Sequence, residues 1–414
     1  MNCLTLLSPP VGQVCLDEFQ KRVTDAAQFR RRPFSDHLVS FCTDLGKRLF
    51  RTSPRGSSLQ ALGFFLREAY LSELRTHFEK SQSAQLCCSP RGIVFQIPPA
   101  NVSSLMLYSW LFSAITGNVT VARIPGDRAA DVERILSHFN EAAAAFAGDP
   151  PHTFFVDYPH DEEITAALSR LCDVRVIWGG DETVNLLRTF PLSPGAKDVT
   201  FQDRHSLAAI SAENYTNLSV SDRDSLIQAV YRDLYTFDQV ACSSPRLVVW
   251  VGSPELCTQA SSDFYTRLAT HAAAHYNCAL GTVVSKKAFV CMSILDQNVQ
   301  SQTFHTNELT VVRVDRLENL TREHCGGGFL FEYFAQTLSE LQGFVSRRDQ
   351  TLTYSGFCAT EIADFVEQLG GRGLDRIVPV GQALSFSHIW DGYDLLQEFV
   401  RRTHVVSNQS AAAG

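Results

Sequence analysis

Apolar residues near the start of the chain recur at helical spacing. The clearest run is Leu62, Phe65, Leu66, Ala69 and Tyr70, at i, i+3, i+4, i+7 and i+8, and it predicts a helical character for residues 1–90. From Gly92 the pattern changes. Residues Gly92 to Ala122 contain no Asp, Glu, Lys, Arg or His, a length that a single helix would need to span a bilayer. Pro98-Pro99 and Gly117-Asn118 divide this stretch. It reads as a strand (GIVFQI), a loop, a helix from Val102 to about Thr116, and a strand from Val119 to Arg123. Strands without charge on either face are what buried parallel sheets contain, so the segment is read as a βαβ unit and not as a membrane span.

The alternation continues. Asp131 to Phe146 reads as a helix, HTFFVDY as a strand, Glu162–Leu171 as a helix and VRVIW as a strand running into Gly179-Gly180 and a helix over Asp181–Arg188. Such alternation predicts a doubly wound α/β domain. No GxGxxG follows any of these strands, which removes the usual fingerprint of a dinucleotide site. From Ser206 the pattern restarts with LAAIS, then a helix opened by Ser221-x-x-Asp224, a spacing close to a capping box. Its apolar face is Leu226, Ile227, Val230, Tyr231 and Leu234. The strand RLVVWVG, a helix over Phe264–Tyr276, a strand-rich region Val311–Phe331, a helical Thr337–Phe344 and a late strand DRIVPVG complete the reading. No internal repeat is visible, and SNQSAAAG reads as a frayed tail.

Composition narrows the class. The chain has 414 residues, 45% hydrophobic and 19% charged, which suits two or three globular domains and excludes wholesale disorder. With 36 basic against 44 acidic residues the net charge is −8. The arginine runs, Arg30-Arg31-Arg32, Arg347-Arg348 and Arg401-Arg402, read as solvated helix faces, so no nucleic-acid partner is expected. Twelve scattered Cys with no CxxC spacing read as reduced thiols of a cytoplasmic protein. The opening MNCLTLLSPPVGQVC has no basic region ahead of its apolar residues and does not read as a signal peptide.

Cys242 is the foremost chemical candidate. It lies in a polar turn, Ala241-Cys242-Ser243-Ser244-Pro245, between a helix and an apolar strand, where a thiol can be exposed and stabilised as thiolate by neighbouring N–H groups. The competing reading is a small buried hydrophobe. Ser243 and Ser244 compete as nucleophiles but have no base visibly paired with them. Asn101, after a strand, can donate to a developing oxyanion or simply cap the next helix. Gly179-Gly180 before a helix permits close approach of a pyrophosphate or marks an ordinary turn. Arg123 can pair with a phosphate or stand as a surface cation. His271, His275 and Cys278 have ligand spacing, but without an acidic partner they read as a helix face, and no metal is expected. Gly326-Gly327-Gly328 lacks the Lys-Ser/Thr of a phosphate loop and reads as a flexible turn.

Several of these segments together resemble a known family. GIVFQIPPANVSS…ITGNVTVARIPGD resembles the opening cofactor segment of the aldehyde dehydrogenase superfamily, VIWGGDETVNLLR its Gly-containing turn, and FDQVACSSPRLVVWVG its nucleophile segment. More narrowly, IWGGDE, FDQVACSSP, RRDQTLTYSG and DRIVPVGQAL…WDGYDL resemble the acyl-CoA reductase family typified by the fatty-acid reductase of luminous bacteria. The likeness runs from about Gly92 to Tyr393.

The resemblance implies an aldehyde dehydrogenase-like α/β fold. Residues 1–90 would be a helical part of the cofactor domain, 91–205 the cofactor-binding domain, 206–384 the catalytic domain, and 385–414 a C-terminal return. It implies NADPH as cofactor, with Ile97, Arg123, Pro125, Gly179 and Gly180 at its site, and Cys242 and Asn101 as the catalytic pair. Cys242 would attack a fatty acyl-CoA or acyl-protein thioester. The S-acyl enzyme would be reduced to a thiohemiacetal that collapses to the aldehyde, with Asn101 and the Cys242 N–H holding the oxyanion. Partners implied are an acyl-protein synthetase and further copies of the chain. Hydrolytic aldehyde dehydrogenases carry a Glu-Leu-Gly-Gly run whose Glu activates water; here Phe201-Gln202-Asp203-Arg204-His205-Ser206 has no Glu, although Asp203 or His205 could substitute. The stretch favours reduction. The alternatives are an aldehyde dehydrogenase working toward acid or acyl-CoA, and a non-catalytic scaffold that binds an acyl-activating partner.

Overall fold

The computed structural model describes residues 2–29, 31–55, 57–99, 104–124, 126 and 128–406. The chain divides into two units, Met1–Gln202 with Phe386–Gly414, and Asp203–Ser385. The first begins with a hairpin, β1 (Cys3–Ser8) and β2 (Pro10–Cys15), and four helices, α1 (Leu16–Gln28), α2 (Asp36–Thr52), α3 (Ser58–Phe65) and α4 (Glu68–Lys80). There follow β3 (Leu86–Pro90), β4 (Ile93–Ile97), α5 (Ser104–Ile115), β5 (Val119–Arg123), α6 (Ala130–Ala145), β6 (Thr153–Asp157), α7 (Glu162–Leu171), β7 (Val174–Trp178), α8 (Asp181–Arg188) and β8 (Lys197–Phe201). The sheet order is β2-β1-β6-β5-β4-β7-β8. The five strands β4 to β8 are parallel, and β1 is antiparallel to both neighbours.

Strand alternation explains the layering. Val94, Ala122, Phe155, Val174 and Val176 face a core built with Phe41, Leu45, Trp110 and Phe139. Their neighbours Ile93, Phe95, Ile97, Val121 and Ile177 face a second core with Phe19, Val23, Ile164 and Val184. Helices therefore cover both faces, and the charge-free stretch after Gly92 is buried as strand, helix and strand. Among the described residues no helix is long and apolar enough to cross a membrane.

The second unit repeats the plan. It comprises β9 (His205–Ser211), α9 (Ala212–Asn217), α10 (Val220–Tyr235), β10 (Pro245–Val251), α11 (Pro254–His275), α12 (Leu280–Asp296), β11 (Val299–Phe304), β12 (Thr310–Val314), β13 (Phe329–Ala335), a 3-10 turn Leu338–Gly343, β14 (Asp349–Ser355), α13 (Ala359–Leu369) and β15 (Arg376–Pro379). The order is β11-β12-β13-β10-β9-β14-β15, with β10 at the centre and only β11 antiparallel. The chain then adds β16 (Ile389–Trp390), β17 (Tyr393–Asp394), α14 (Leu395–Glu398) and β18 (Val400–His404) to the first unit, where β18 pairs antiparallel with β3.

Four details differ from the sequence reading. Residues 3–15 are a hairpin with Leu4, Leu6 and Val14 buried, so residues 1–90 are not wholly helical. The stripe Leu62–Tyr70 spans two helices, because Arg67 is extended (ψ 148°) and caps α4; the Phe65 and Tyr70 rings meet across the break at 4.5 Å. Helix α10 is capped by Ser219, whose Oγ accepts from Asp222 N at 3.2 Å, and not by Ser221. Helix α11 starts at Pro254, behind a Ser253 cap, well before Phe264.

Candidate active site

In the first unit, β4, β5 and β6 progress to one side of the sheet, while β7 and β8 lie on the other side of β4. The chain thus reverses direction between β4 and β7, and ligands of doubly wound sheets bind outside the carboxyl ends of strands at such a point. Ile97 ends β4, Arg123 ends β5, and Gly179-Gly180 follow β7, so the topology places all four along one edge. A Cβ on Gly179 would stand 2.9 Å from the Thr183 side chain. Gly180 caps α8, whose first turn carries Asp181 and Glu182; these carboxylates compete with a phosphate for the helix N-terminus. Arg123 rests on Tyr158, with Nη2 donating to Tyr158 O at 3.3 Å and its guanidinium 4.9 Å from the ring centroid. Its Nε has no hydrogen-bond partner among the described residues. Asn101 and Pro125 lie outside the described residues.

Cys242 is half-buried in the turn between α10 and the central strand β10. Gln239, 1% exposed, holds this turn: Nε2 donates to Pro245 O and Phe329 O, each at 2.8 Å, and Oε1 accepts from Gly328 N at 2.9 Å. Asp238 and Gln239 have φ of 50° and 63°, a left-handed pair stabilised by these bonds and by Gly327 N donating to Asp238 O at 2.9 Å. On the other side Ser206 Oγ donates to Cys242 O at 2.7 Å and accepts from Thr351 N at 3.2 Å. Ser243 and Ser244 are buried, at 2% and 0% exposure, which withdraws them as competing nucleophiles.

A charged network lies at the amino ends of the same strands. Asp349, 0% exposed, opens β14 and receives a bidentate Arg322 (3.1 and 2.9 Å). His205, which opens β9, places Nδ1 3.1 Å from Asp349 Oδ1. Burial alone would raise the Asp349 carboxyl, but His205 and Arg322 hold it below its ordinary range. Burial lowers His205 despite that carboxylate. A neutral His205 donating from Nδ1 to an ionised Asp349 satisfies both. Arg246, second in β10 and 8% exposed, donates to Arg204 O at 3.4 Å, while its Nε has no partner among the described residues. Burial pushes Arg246 down to about 10, opposed by the negative charge that Cys242 and Asp203 present to it. This cation beside the thiol can stabilise a thiolate or an oxyanion.

Three features escape the sequence reading. Arg246 looks like any strand cation until its burial is seen. Gln239 is visible only as the Gln of FDQ. The Gly326–Gly328 run is a fixed turn and not a flexible one: its φ values are 68°, 61° and 81°, and it donates to both Asp238 and Gln239. His271 and His275 are a helix face, as expected, stacked at 4.2 Å with His271 against Tyr231.

Residues 67–272 match the acyl-CoA reductase (LuxC) family model. No curated protein sequence matches. Among solved structures, aldehyde dehydrogenase 21 from Physcomitrella patens, in complex with the reaction product succinate, superposes with a TM-score of 0.70 at 10% identity, covering 100% of this chain and 96% of that one. The glyceraldehyde-3-phosphate dehydrogenase GapN of Methanocaldococcus jannaschii, complexed with NADP, gives 0.63 at 10% identity, covering 96% of each. A bifunctional proline utilization A (PutA) protein gives 0.68 at 14%; 97% of this chain is covered, and the chain spans 46% of that protein's length. Over residues 67–272, then, the chain matches the acyl-CoA reductase (LuxC) family, and it is built on the aldehyde dehydrogenase fold.

Proposed function

We propose that this protein reduces a fatty acyl thioester, of coenzyme A or of a protein, to the aldehyde with NADPH, through an acyl group carried on Cys242. The observation that carries the proposal is Cys242 on a turn clamped at the amino end of the central strand, beside the buried Arg246. The Cys242 thiolate attacks the thioester carbonyl, and the donor's thiol leaves with the electron pair of the broken C–S bond. Arg246 favours the thiolate form, and the Cys242 N–H with Asn101 holds the oxyanion, the Asn101 role resting on the family resemblance alone. Thiolate serves both as nucleophile and, when the aldehyde departs, as leaving group.

The switch-point edge suits a dinucleotide. A side chain at Gly179 would crowd Thr183, and Arg123 offers an unsatisfied N–H in a position where a guanidinium suits a 2′-phosphate. Ile97 and Gly180 there, with Pro125 on the family resemblance, would hold NADPH, which would supply the hydride. Water is the competing acceptor of the acyl group. His205 is 2% exposed with Nδ1 committed to Asp349, so it is badly placed to deprotonate water, which supports reduction over hydrolysis.

The test follows NADPH oxidation with a series of acyl-CoA esters and trapping of the aldehyde, beside intact-mass measurement after incubation without NADPH. Wild type gains one acyl group and turns over. Cys242→Ala does neither, and Arg246→Gln acylates at least about tenfold more slowly at neutral pH. A folded Cys242→Ala that retains the wild-type rate overturns the proposal. Acylation only by an acylated protein assigns the donor to a protein partner.

A further inference from the structure

A group of potential ligands in the first unit stands outside this chemistry. His77 lies in the last turn of α4, His388 immediately precedes β16, and Asp394 ends β17; one donor atom from each lies within 4.8 Å of the others. His77 Nε2 is 3.8 Å from Asp394 Oδ2. The two imidazoles are 4.4 Å apart between centroids and inclined at 52°. His388 Nε2 is shut off from solvent and has no hydrogen-bond partner among the described residues. A buried ring nitrogen in that condition is costly unless something else satisfies it.

The two ligands of the hairpin are already oriented. Leu395 N donates to His388 O at 2.9 Å, and Tyr108 OH donates to Ser387 O at 2.6 Å, fixing the backbone on both sides of the ring. Asp394 Oδ1 accepts from Leu396 N at 3.1 Å, so Oδ2 is the oxygen that addresses His77. Supporting bonds of this kind orient the ligands of metal sites.

We infer that His77, His388 and Asp394 form a site for a divalent transition-metal ion of the zinc type, tying α4 to the C-terminal hairpin. Two imidazoles and one carboxylate suit zinc, whereas calcium and magnesium prefer sites made of oxygen alone. Three protein ligands leave a position for water. With bonds of about 2.0–2.2 Å, donors around zinc stand closer than 4.8 Å. Binding therefore requires a small closing movement, which the exposed His77 on its helix can supply.

The experiment uses the full chain stripped with chelator and titrated with Co²⁺, whose visible spectrum separates nitrogen and oxygen ligands from thiolates, beside thermal melts with and without Zn²⁺. Wild type binds one equivalent with d–d bands and no thiolate charge-transfer band, and Zn²⁺ raises its melting midpoint by several degrees. His77→Ala, checked for native circular dichroism, and Asp394→Asn lose that equivalent and the shift. The site is refuted if Co²⁺ does not saturate any nitrogen–oxygen site, or if the binding and the shift persist in His77→Ala, as they would with the ion on thiols. These readouts are independent of reductase activity.

Discussion

Around Cys242, two buried side chains set the reactive turn without being candidates for chemistry themselves. Gln239 satisfies two carbonyls and one N–H from two separate segments, Pro245 and Gly328-Phe329, and Ser206 bridges Cys242 O to Thr351 N. His324 has a different consequence. Burial, with the positive charge of Arg246, pushes it down to about 3, against about 6.5 in an unfolded chain. In between, the unfolded chain takes up a proton that the folded chain refuses. The stability tied to this group is therefore full above about pH 6.5 and drains away as the pH falls toward 3. Urea midpoints measured from pH 7 to 4 should decline less steeply in His324→Gln, the difference reaching roughly 1–2 kcal/mol near pH 4.5. Parallel curves for the two proteins would show that His324 does not resist protonation. A sequence can show a Cys on a turn, because turn residues are local signals. It cannot show that Arg246 is buried, because strands distant in sequence flank it.

At the level of elements, the Gly326–Gly328 turn carries the sharpest prediction. A Cβ on Gly328 would lie 2.0 Å from Glu308 O and 2.5 Å from Tyr235 OH, at φ 81°. The backbone cannot yield there, and the Gly328 N–H to Gln239 bond would be displaced with it. Gly328→Ala should cost more than about 2 kcal/mol and abolish acylation of Cys242; a variant with wild-type acylation would show that this turn does not hold the Cys242 loop. The βαβ elements from Ile93 to Arg188 are legible in the sequence because their strands are apolar on both faces and their helices carry a stripe. The β1–β2 hairpin, α12 and β18 are not. The hairpin is too short for its alternation to stand out. Only Lys286, Val290 and Ser293 of α12 are buried, so no apolar stripe marks it. Strand β18 has one buried residue, Val400, and exists by pairing with β3.

Over the molecule as a whole, the first unit is closed by residues far along the chain. Trp390, Leu395, Leu396, Phe399 and Val400 enter its core. Asn118 connects them to the older part: Oδ1 accepts from Gly92 N at 2.8 Å, and Nδ2 donates to Ser113 O, Thr116 Oγ1 and Phe399 O at 3.2, 2.9 and 2.9 Å. Asn118→Ala removes the acceptor of Gly92 N and one of the bonds made by each of the other three partners, at a cost of roughly 1–3 kcal/mol. Limited proteolysis should then release the segment after Ser385 before other cuts appear, and a digestion pattern identical to wild type would argue against Asn118 as the tie.

That closure has a consequence for biosynthesis. Unit Asp203–Ser385 is continuous in sequence and can fold as soon as it clears the ribosome. The first unit, although translated earlier, must wait with the edge of β3 unpaired and a gap in its core until Val400 emerges. During that interval it is the natural client of a chaperone and the part of the nascent chain most exposed to aggregation.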